Sequence, residues 1–296
     1  MINLEKILCP VDFSAVSDDA VDYAATLAKL YEASVHLLHV VSPIFPTFGS
    51  IKINTSHLTH SARVAATDQL YALRKRLKHE DVITEFVVRV GKVYEEIKTA
   101  IEAFKPDLLV IGTHGRRGID RWFMGSTAQQ LLRHSPVPIV TISAGGRRSR
   151  SRHPFRKILV TTDFSEGTPE ALSFAFSLAQ ENQSKITLLH VINDAAVDLS
   201  VKYRKKVLSA SQRQLEDLVP AGARDWSKVL TRIETGTPYK EILKILKANK
   251  MDLLVMNIHG KGMLDRVLIG STAERVVRGA QCPVMLIPPR GRRLKG

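Results

Sequence analysis

The sequence predicts an α/β protein built from two tandem open five-stranded parallel sheets, each with helices on both faces. Three observations predict it. Apolar runs of strand length alternate with longer amphipathic stretches. Runs such as Leu108-Leu-Val-Ile111 are apolar throughout, as a strand covered on both faces requires. The whole pattern also occurs twice in 296 residues. Lys6 to Val41 aligns without gaps on Lys157 to Ile192, with 14 of 36 positions identical. Further on, Val90-Gly91 through Ile97 answers Thr235-Gly236 through Ile242, and Asp107-Leu-Leu-Val110 answers Asp252-Leu-Leu-Val255. Alternating β and α with short links implies parallel strands joined by right-handed crossovers.

In the first copy the strands read Lys6–Asp12, Ser34–Val41, Ile83–Val90, Asp107–Gly112 and Val137–Ile142. The helices read Ser17–Leu30, about His57–Lys78, Val93–Phe104 and Ser126–Arg133, the last stopping before Pro136. Between the early and late blocks the repeat offset falls from 151 to 145, so the first copy carries six extra residues. They fit the Pro/Ser/Thr-rich stretch Ser42 to Ser56. Ala144 to Pro154, rich in Gly, Ser and Arg, is the hinge. The expected units are residues 1–144, a basic linker 145–154, residues 155–289 and a basic tail 290–296.

The fourth strand runs into Gly112, Gly115 and Gly125-Ser126-Thr127, and a helix follows. Glycines let backbone N–H groups approach an anion with no Cβ in the way, and the helix start adds orphan donors and a partial positive charge. Ser126 and Thr127 can cap that helix or donate to a phosphate oxygen. A bound phosphate is the economical reading. A Gly-rich turn with a Ser cap is the bland alternative, and spacing alone does not separate the two.

In an open parallel sheet ligands sit at the carboxyl ends of strands beside the switch point. With strand order 3-2-1-4-5, the ends of the first and fourth strands flank that crevice. Asp12, ending the first strand, then faces the glycine loop and can accept hydrogen bonds from ribose hydroxyls or an adenine amino group. Its alternative is a turn carboxylate in Asp12-Phe-Ser14, repeated as Asp163-Phe-Ser165. Val40 and Val191 can wall a base or simply be core. His114, His259, the repeated pairs Asp120-Arg121 and Asp265-Arg266, and His39 and His190 read as structural. Arg116, Arg117 and Lys261 can reach phosphate oxygens.

Composition narrows the function. No apolar run approaches the roughly 20 residues of a membrane span. The N-terminus lacks a secretory pattern. Cys9 and Cys282 form neither a disulfide framework nor a metal spacing. A cytoplasmic, non-membrane protein is expected. The net charge of +14 invites a nucleic-acid reading. Eight of the basic residues, however, lie in the linker and tail, and the rest of the chain carries +6. No aromatics interleave those runs, which argues for solvated segments rather than a nucleic-acid surface.

The chain resembles the universal stress protein family as a tandem of two such domains. The resemblance rests on Pro10-Val-Asp-Phe-Ser14, Leu37-Leu-His-Val-Val41, the glycine pattern and the Arg133-His-Ser-Pro-Val-Pro-Ile-Val140 ending. It implies an adenine nucleotide alpha-hydrolase-like, Rossmann-like fold binding ATP or AMP. By position it implies that Pro10, Asp12 and Val40 face adenine and ribose. Gly112, His114, Gly115, Arg116, Gly125, Ser126 and Thr127 would lie around the phosphates. The second copy offers Asp163, Val191, Gly260, Gly270, Ser271 and Thr272, with Asn257 replacing the first glycine and Thr161-Thr162 replacing Pro10-Val11. Asn257 is expected to crowd the phosphate corner, so the second site is the weaker one. The resemblance further implies a contact through the last strands, Pro138 to Ile142 and Pro283 to Ile287, either within the chain as a pseudo-dimer or between chains as a homodimer. The expected function is a nucleotide-binding regulator that acts through an unidentified protein partner. A slow ATPase of the same fold, with Mg2+ bridging the phosphates, is the alternative. No dedicated metal ligands or catalytic triad are legible.

Overall fold

The computed structural model describes residues 4–43, 47–48, 51–52, 56–113, 124–143, 155–193, 201–258 and 269–288. In the first unit the order is β1 (Lys6–Pro10), α1 (Ala15–Tyr31), β2 (Ser34–Val41), a two-strand hairpin β3 (Thr47–Phe48) and β4 (Ile51–Lys52), then α2 (Ser56–Lys78). It continues with β5 (Thr84–Val90), α3 (Val93–Phe104), β6 (Leu108–Gly112), α4 (Ser126–His134) and β7 (Ile139–Ile142). The second unit has β8 (Lys157–Thr161), α5 (Thr168–Asn182), β9 (Lys185–Ile192), α6 (Val201–Asp217) and the short α7 (Ala223–Trp226). It ends with β10 (Val229–Thr235), α8 (Pro238–Asn249), β11 (Leu253–Asn257), α9 (Ser271–Gly279) and β12 (Val284–Ile287). The basic linker and tail lie outside the described residues.

Each half has the 3-2-1-4-5 order: β5-β2-β1-β6-β7 and β10-β9-β8-β11-β12, all parallel within the half. The two five-stranded sheets expected from the sequence are joined by their last strands, the within-chain form of the contact that the resemblance implies. β7 and β12 pair antiparallel, with Thr141 opposite Val284 and Ile139 opposite Leu286, so the chain forms one ten-stranded sheet. All four residues of β7 and of β12 are buried, as are the first four of β6 and of β11. The outermost strands, β5 and β10, have exposed positions beyond their first residue, whereas in β1, β8 and β9 only the leading lysine is exposed.

Sequence alternation explains the two cores. One sheet face packs against α1, α2, α5 and α6 through side chains such as Leu27, Leu70 and Phe176. The other packs against α3, α4, α8 and α9 through Ile97, Leu131 and Val276. Both cores run across the β7–β12 junction. Fully buried Phe155, just ahead of β8, meets Tyr23 of α1 edge-on at 6.1 Å. No helix among the described residues is long and apolar enough to cross a membrane.

Element ends in the first unit lie within two residues of expectation. α1 begins at Ala15 rather than Ser17 because Ser14 is its cap, accepting from Ser17 N–H at 3.2 Å. The final strand begins at Ile139 because Pro138 has no N–H to give a ladder.

Candidate functional site

A cavity of about 700 Å³ opens at the carboxyl ends of β1 and β6. Pro10, Asp12 and Val40 line one side, and Gly112, Gly125, Ser126 and Thr127 line the other. Its floor is apolar: Leu38, Ile97, Ile111 and Leu131. His114, Gly115 and Arg116 lie outside the described residues, as do Arg117, Asp120 and Arg121. The geometry follows from β1 and β6 being neighbours whose loops leave in opposite directions, which opens the crevice at that switch point.

The first wall is built by a turn under constraint. Phe13 has φ 59°, rare for a bulky residue. Asp12 Oδ1 accepts from Ser14 N–H at 3.0 Å and from Ser14 Oγ–H at 2.6 Å. The Phe13 ring lies 4.6 Å from the His39 ring, and His39 Nδ1 lies 2.7 Å from the Val11 carbonyl oxygen. That carbonyl can only accept, so Nδ1 carries the proton. The turn reading of Asp12 and the cavity reading therefore hold together: one carboxylate oxygen closes the turn, and the residue lines the cavity. Asp18, in the first turn of α1, is held above the ordinary carboxylate range, chiefly by burial. Arg76 opposes that shift, whereas Asp22, Asp19 and Asp12 add to it.

The opposite wall is the start of α4. Its cap is Gly125, at φ −59° and ψ 144°, with no side-chain cap. Gly125 N–H donates to the Thr113 carbonyl at 2.9 Å, and Thr113 N–H donates to Ile142 at 2.9 Å, tying this corner to the end of β7. Ser126 and Thr127, the first residues of the helix, line the cavity beside Gly125. Gly112 lines the cavity and also packs against α1. It has no positive φ, and the place its Cβ would take is beside α1, 3.1 Å from Val16 Cγ1 and 3.4 Å from Ser17 N. Gly112 makes room for the first turn of α1.

The second unit places Asp163, Val191, Asn257, Gly270, Ser271 and Thr272 around the equivalent cavity, of about 300 Å³. Gly260, His259, Lys261, Asp265 and Arg266 lie outside the described residues. The Asp-Phe-Ser turn recurs, with Phe164 at φ 59° and Asp163 Oδ1 accepting from Ser165 N–H at 3.1 Å. His190 Nδ1 again lies 2.8 Å from a main-chain oxygen, that of Thr162. Asn257 lines this cavity, as Gly112 lines the first. Its amide faces α5: Nδ2 donates to the Gly167 carbonyl at 2.9 Å and Oδ1 accepts from Thr168 N–H at 3.2 Å, an orientation set by these partners. The oxygen end also lies near Ser165 Oγ, at 3.3 Å. Gly167 is the counterpart of Val16, so the two positions exchange bulk: Gly112 with Val16 in the first unit, Asn257 with Gly167 in the second.

Sequence reasoning missed Ser17, Thr113, Met124 and the apolar floor, all of which line the first cavity. Met124 and Thr113 flank the glycine loop and were open to inspection. Ile97 and Leu131 carry only a core-like periodicity, which gives no sign of a cavity.

Two open parallel α/β units, each with a cleft at its switch point, define a tandem protein of the doubly wound α/β class. The comparisons place it further. The model of the universal stress protein family matches residues 3–143 and again 154–288. A universal stress protein of Mycolicibacterium smegmatis is 28% identical over 299 residues, spanning 96% of this chain and 97% of that one. One of Methanocaldococcus jannaschii is 30% identical over 139 residues, 45% of this chain and 82% of that protein. A universal stress protein structure from Archaeoglobus fulgidus superposes with TM-score 0.74 at 23% identity, covering 97% of both chains. The chain belongs to the universal stress protein family, with two such units in tandem.

Proposed function

We propose that this protein is a stress-response regulator that holds an adenine nucleotide, ATP or AMP, in the cavity of the first unit. One observation carries the reading. The cavity brings an acceptor, Asp12, and an apolar wall, Pro10 and Val40, opposite an uncapped helix start at Gly125-Ser126-Thr127. An apolar slot with a carboxylate beside it suits a base and ribose. Main-chain donors at a helix start suit phosphate oxygens, and Ser126 and Thr127 add hydroxyls. A size of about 700 Å³ is ample for such a ligand. Mg2+ would arrive on the phosphates. The reading is of a protein that binds and signals occupancy to a partner, with hydrolysis at most slow.

The test is mass spectrometry of small molecules released on denaturing the purified chain, beside Gly125→Asp. That substitution sets a negative charge at the start of α4, where the phosphates are proposed to lie. Adenine nucleotide is expected from the parent chain and not from the variant. No released nucleotide, together with no heat on adding ATP, refutes the proposal. Turnover of ATP that Gly125→Asp abolishes would instead make the protein an enzyme.

A further inference from the structure

Ser17 lines the first cavity and is 4% exposed, yet it has no part in the nucleotide reading so far. Its Oγ lies 3.0 Å from the Ser14 carbonyl oxygen. That carbonyl can only accept, so the hydroxyl gives its proton there and keeps lone pairs alone for a ligand. Asp12, which also lines the cavity, is a carboxylate and likewise offers only lone pairs. Ser14 fixes both. Its N–H and Oγ–H bond to Asp12 Oδ1 at 3.0 and 2.6 Å, and its carbonyl holds the Ser17 proton. The pair of acceptors sits centrally in the cavity. β1, which leads into Asp12, lies between β2, which carries Val40, and β6, which ends in Gly112. The Cβ position of Gly112 is 3.4 Å from Ser17 N, which sets Ser17 at the β1–β6 crevice. The apolar slot of Pro10 and Val40 is then on one side of the pair, and the start of α4 on the other. The second unit lacks this arrangement. Thr168, the counterpart of Ser17, is buried with its hydroxyl 2.8 Å from that of Thr162, and it is not among the described residues of the second cavity wall.

We infer that Ser17 is a specificity-determining residue of the first cavity: together with Asp12 it accepts the two hydroxyls of a ribose, and so selects ribonucleotides over deoxyribonucleotides. The inference rests on the nucleotide reading of this cavity. Two acceptors side by side need a group that brings two separate O–H donors, and a cis-diol does so. A nucleotide carries that diol between its base and its phosphates, just as the pair lies between the apolar slot and the helix start. The adenine amino group also donates, but it belongs to the end of the ligand that fills the slot. A deoxy analogue leaves one acceptor without a donor in a place closed to solvent, and that is penalised.

Calorimetric titration of the full chain, stripped of ligand, tests this with ATP, its 2′-deoxy and 3′-deoxy analogues, and inosine triphosphate, which keeps the ribose and lacks the amino group. The parent and Ser17→Ala are compared. In the parent each deoxy analogue should bind at least about tenfold more weakly than ATP. Ser17→Ala should weaken ATP by a similar factor and erase the penalty of one deoxy analogue while keeping that of the other. Its preference between ATP and inosine triphosphate should stay as in the parent. A parent that binds ATP and both deoxy analogues equally overturns the inference, whatever the variant does, and leaves the nucleotide reading standing. So does a folded Ser17→Ala chain that keeps both penalties. A folded variant that changes the preference for ATP over inosine triphosphate instead sets Ser17 against the base and overturns the inference too. No heat with any of the four ligands overturns the nucleotide reading, and this inference with it.

Discussion

Replacing Gly112 with alanine places a Cβ 3.1 Å from Val16 Cγ1, 3.3 Å from the Val16 carbonyl carbon and 3.4 Å from Ser17 N. Two of those three neighbours are main chain in the first turn of α1, which Ser14 pins by its cap. A side chain could rotate away, but a capped helix start has to move as a body. The cost of such overpacking is about 1–3 kcal/mol. Replacing Gly125 offers the contrast. Its Cβ would meet only the Thr113 carbonyl oxygen, at an ordinary 3.6 Å, and its φ of −59° suits any residue. Gly125→Ala is therefore expected to change stability by less than about 0.5 kcal/mol.

The assay is urea unfolding of both variants beside nucleotide titration. Gly112→Ala should lower the midpoint, and adding Val16→Gly should recover most of the loss, because that pair imitates the second unit, where Gly167 lies under Asn257. Gly125→Ala should keep the midpoint and weaken nucleotide binding, since the methyl stands at the cavity wall. The reasoning is refuted if Gly112→Ala unfolds like the parent, or if Val16→Gly deepens its loss.

Two further perturbations follow. Burial pushes the Cys9 thiol from an ordinary 9.0 up to about 12, and burial, helped by Asp252, pushes Cys282 to about 12. A pKa raised on folding means stability that is whole below pH 9 and lost as pH climbs from 9 toward 12. Urea midpoints should fall over that range, less steeply in the Cys9→Ala/Cys282→Ala chain, and a thiol reagent at about pH 8 should label the protein only after denaturation. Ser14→Ala removes the α1 cap and the 2.6 Å bond to Asp12, and should cost about 1 kcal/mol together with a measurable loss of nucleotide affinity.

The alternating elements, the repeat and the convergence of Asp12 with the glycine loop were legible because each is written in local pattern. Strand length, turn residues and order fix them without knowledge of distant contacts. The role of Gly112 was not legible from its loop. Its partner, Val16, lies in the first helix, and the contact exists only after β1 and β6 pair. Yet a trace was present in the repeat. Aligned position by position, glycine gives way to asparagine at 112 and 257, while valine gives way to glycine at 16 and 167. Bulk moved from one to the other, which is what two touching residues do. The bonds of Asn257 to α5 were not legible, since those residues are distant in sequence and meet only after β8 and β11 pair. The pairing of β7 with β12 was expected from the resemblance and not from the strands themselves, because a nearly apolar strand serves equally as a middle strand in one chain or a dimer contact between two.

That pairing has a consequence for how the protein unfolds. Alone, either unit would end in a strand with an open row of backbone donors and acceptors and a sequence apolar but for Thr141, the kind of edge that soluble proteins cover. Here each edge covers the other, and Ser143 Oγ adds a 2.7 Å bond to the Ala280 carbonyl across the joint. Phe155 belongs to the second unit by sequence but is buried against Tyr23 of the first. Truncating it to alanine should cost about 3–5 kcal/mol. Because both cores continue through the junction, that loss should appear as a shift of one cooperative transition. Calorimetry and the fluorescence of Trp226, which lies beside Phe176 in the second unit, should then report the same midpoint when read in a Trp122→Phe background. Two separated transitions, with only the second-unit signal moved by Phe155→Ala, would show that the halves melt independently and that the ten-stranded sheet is a docking of two stable bodies.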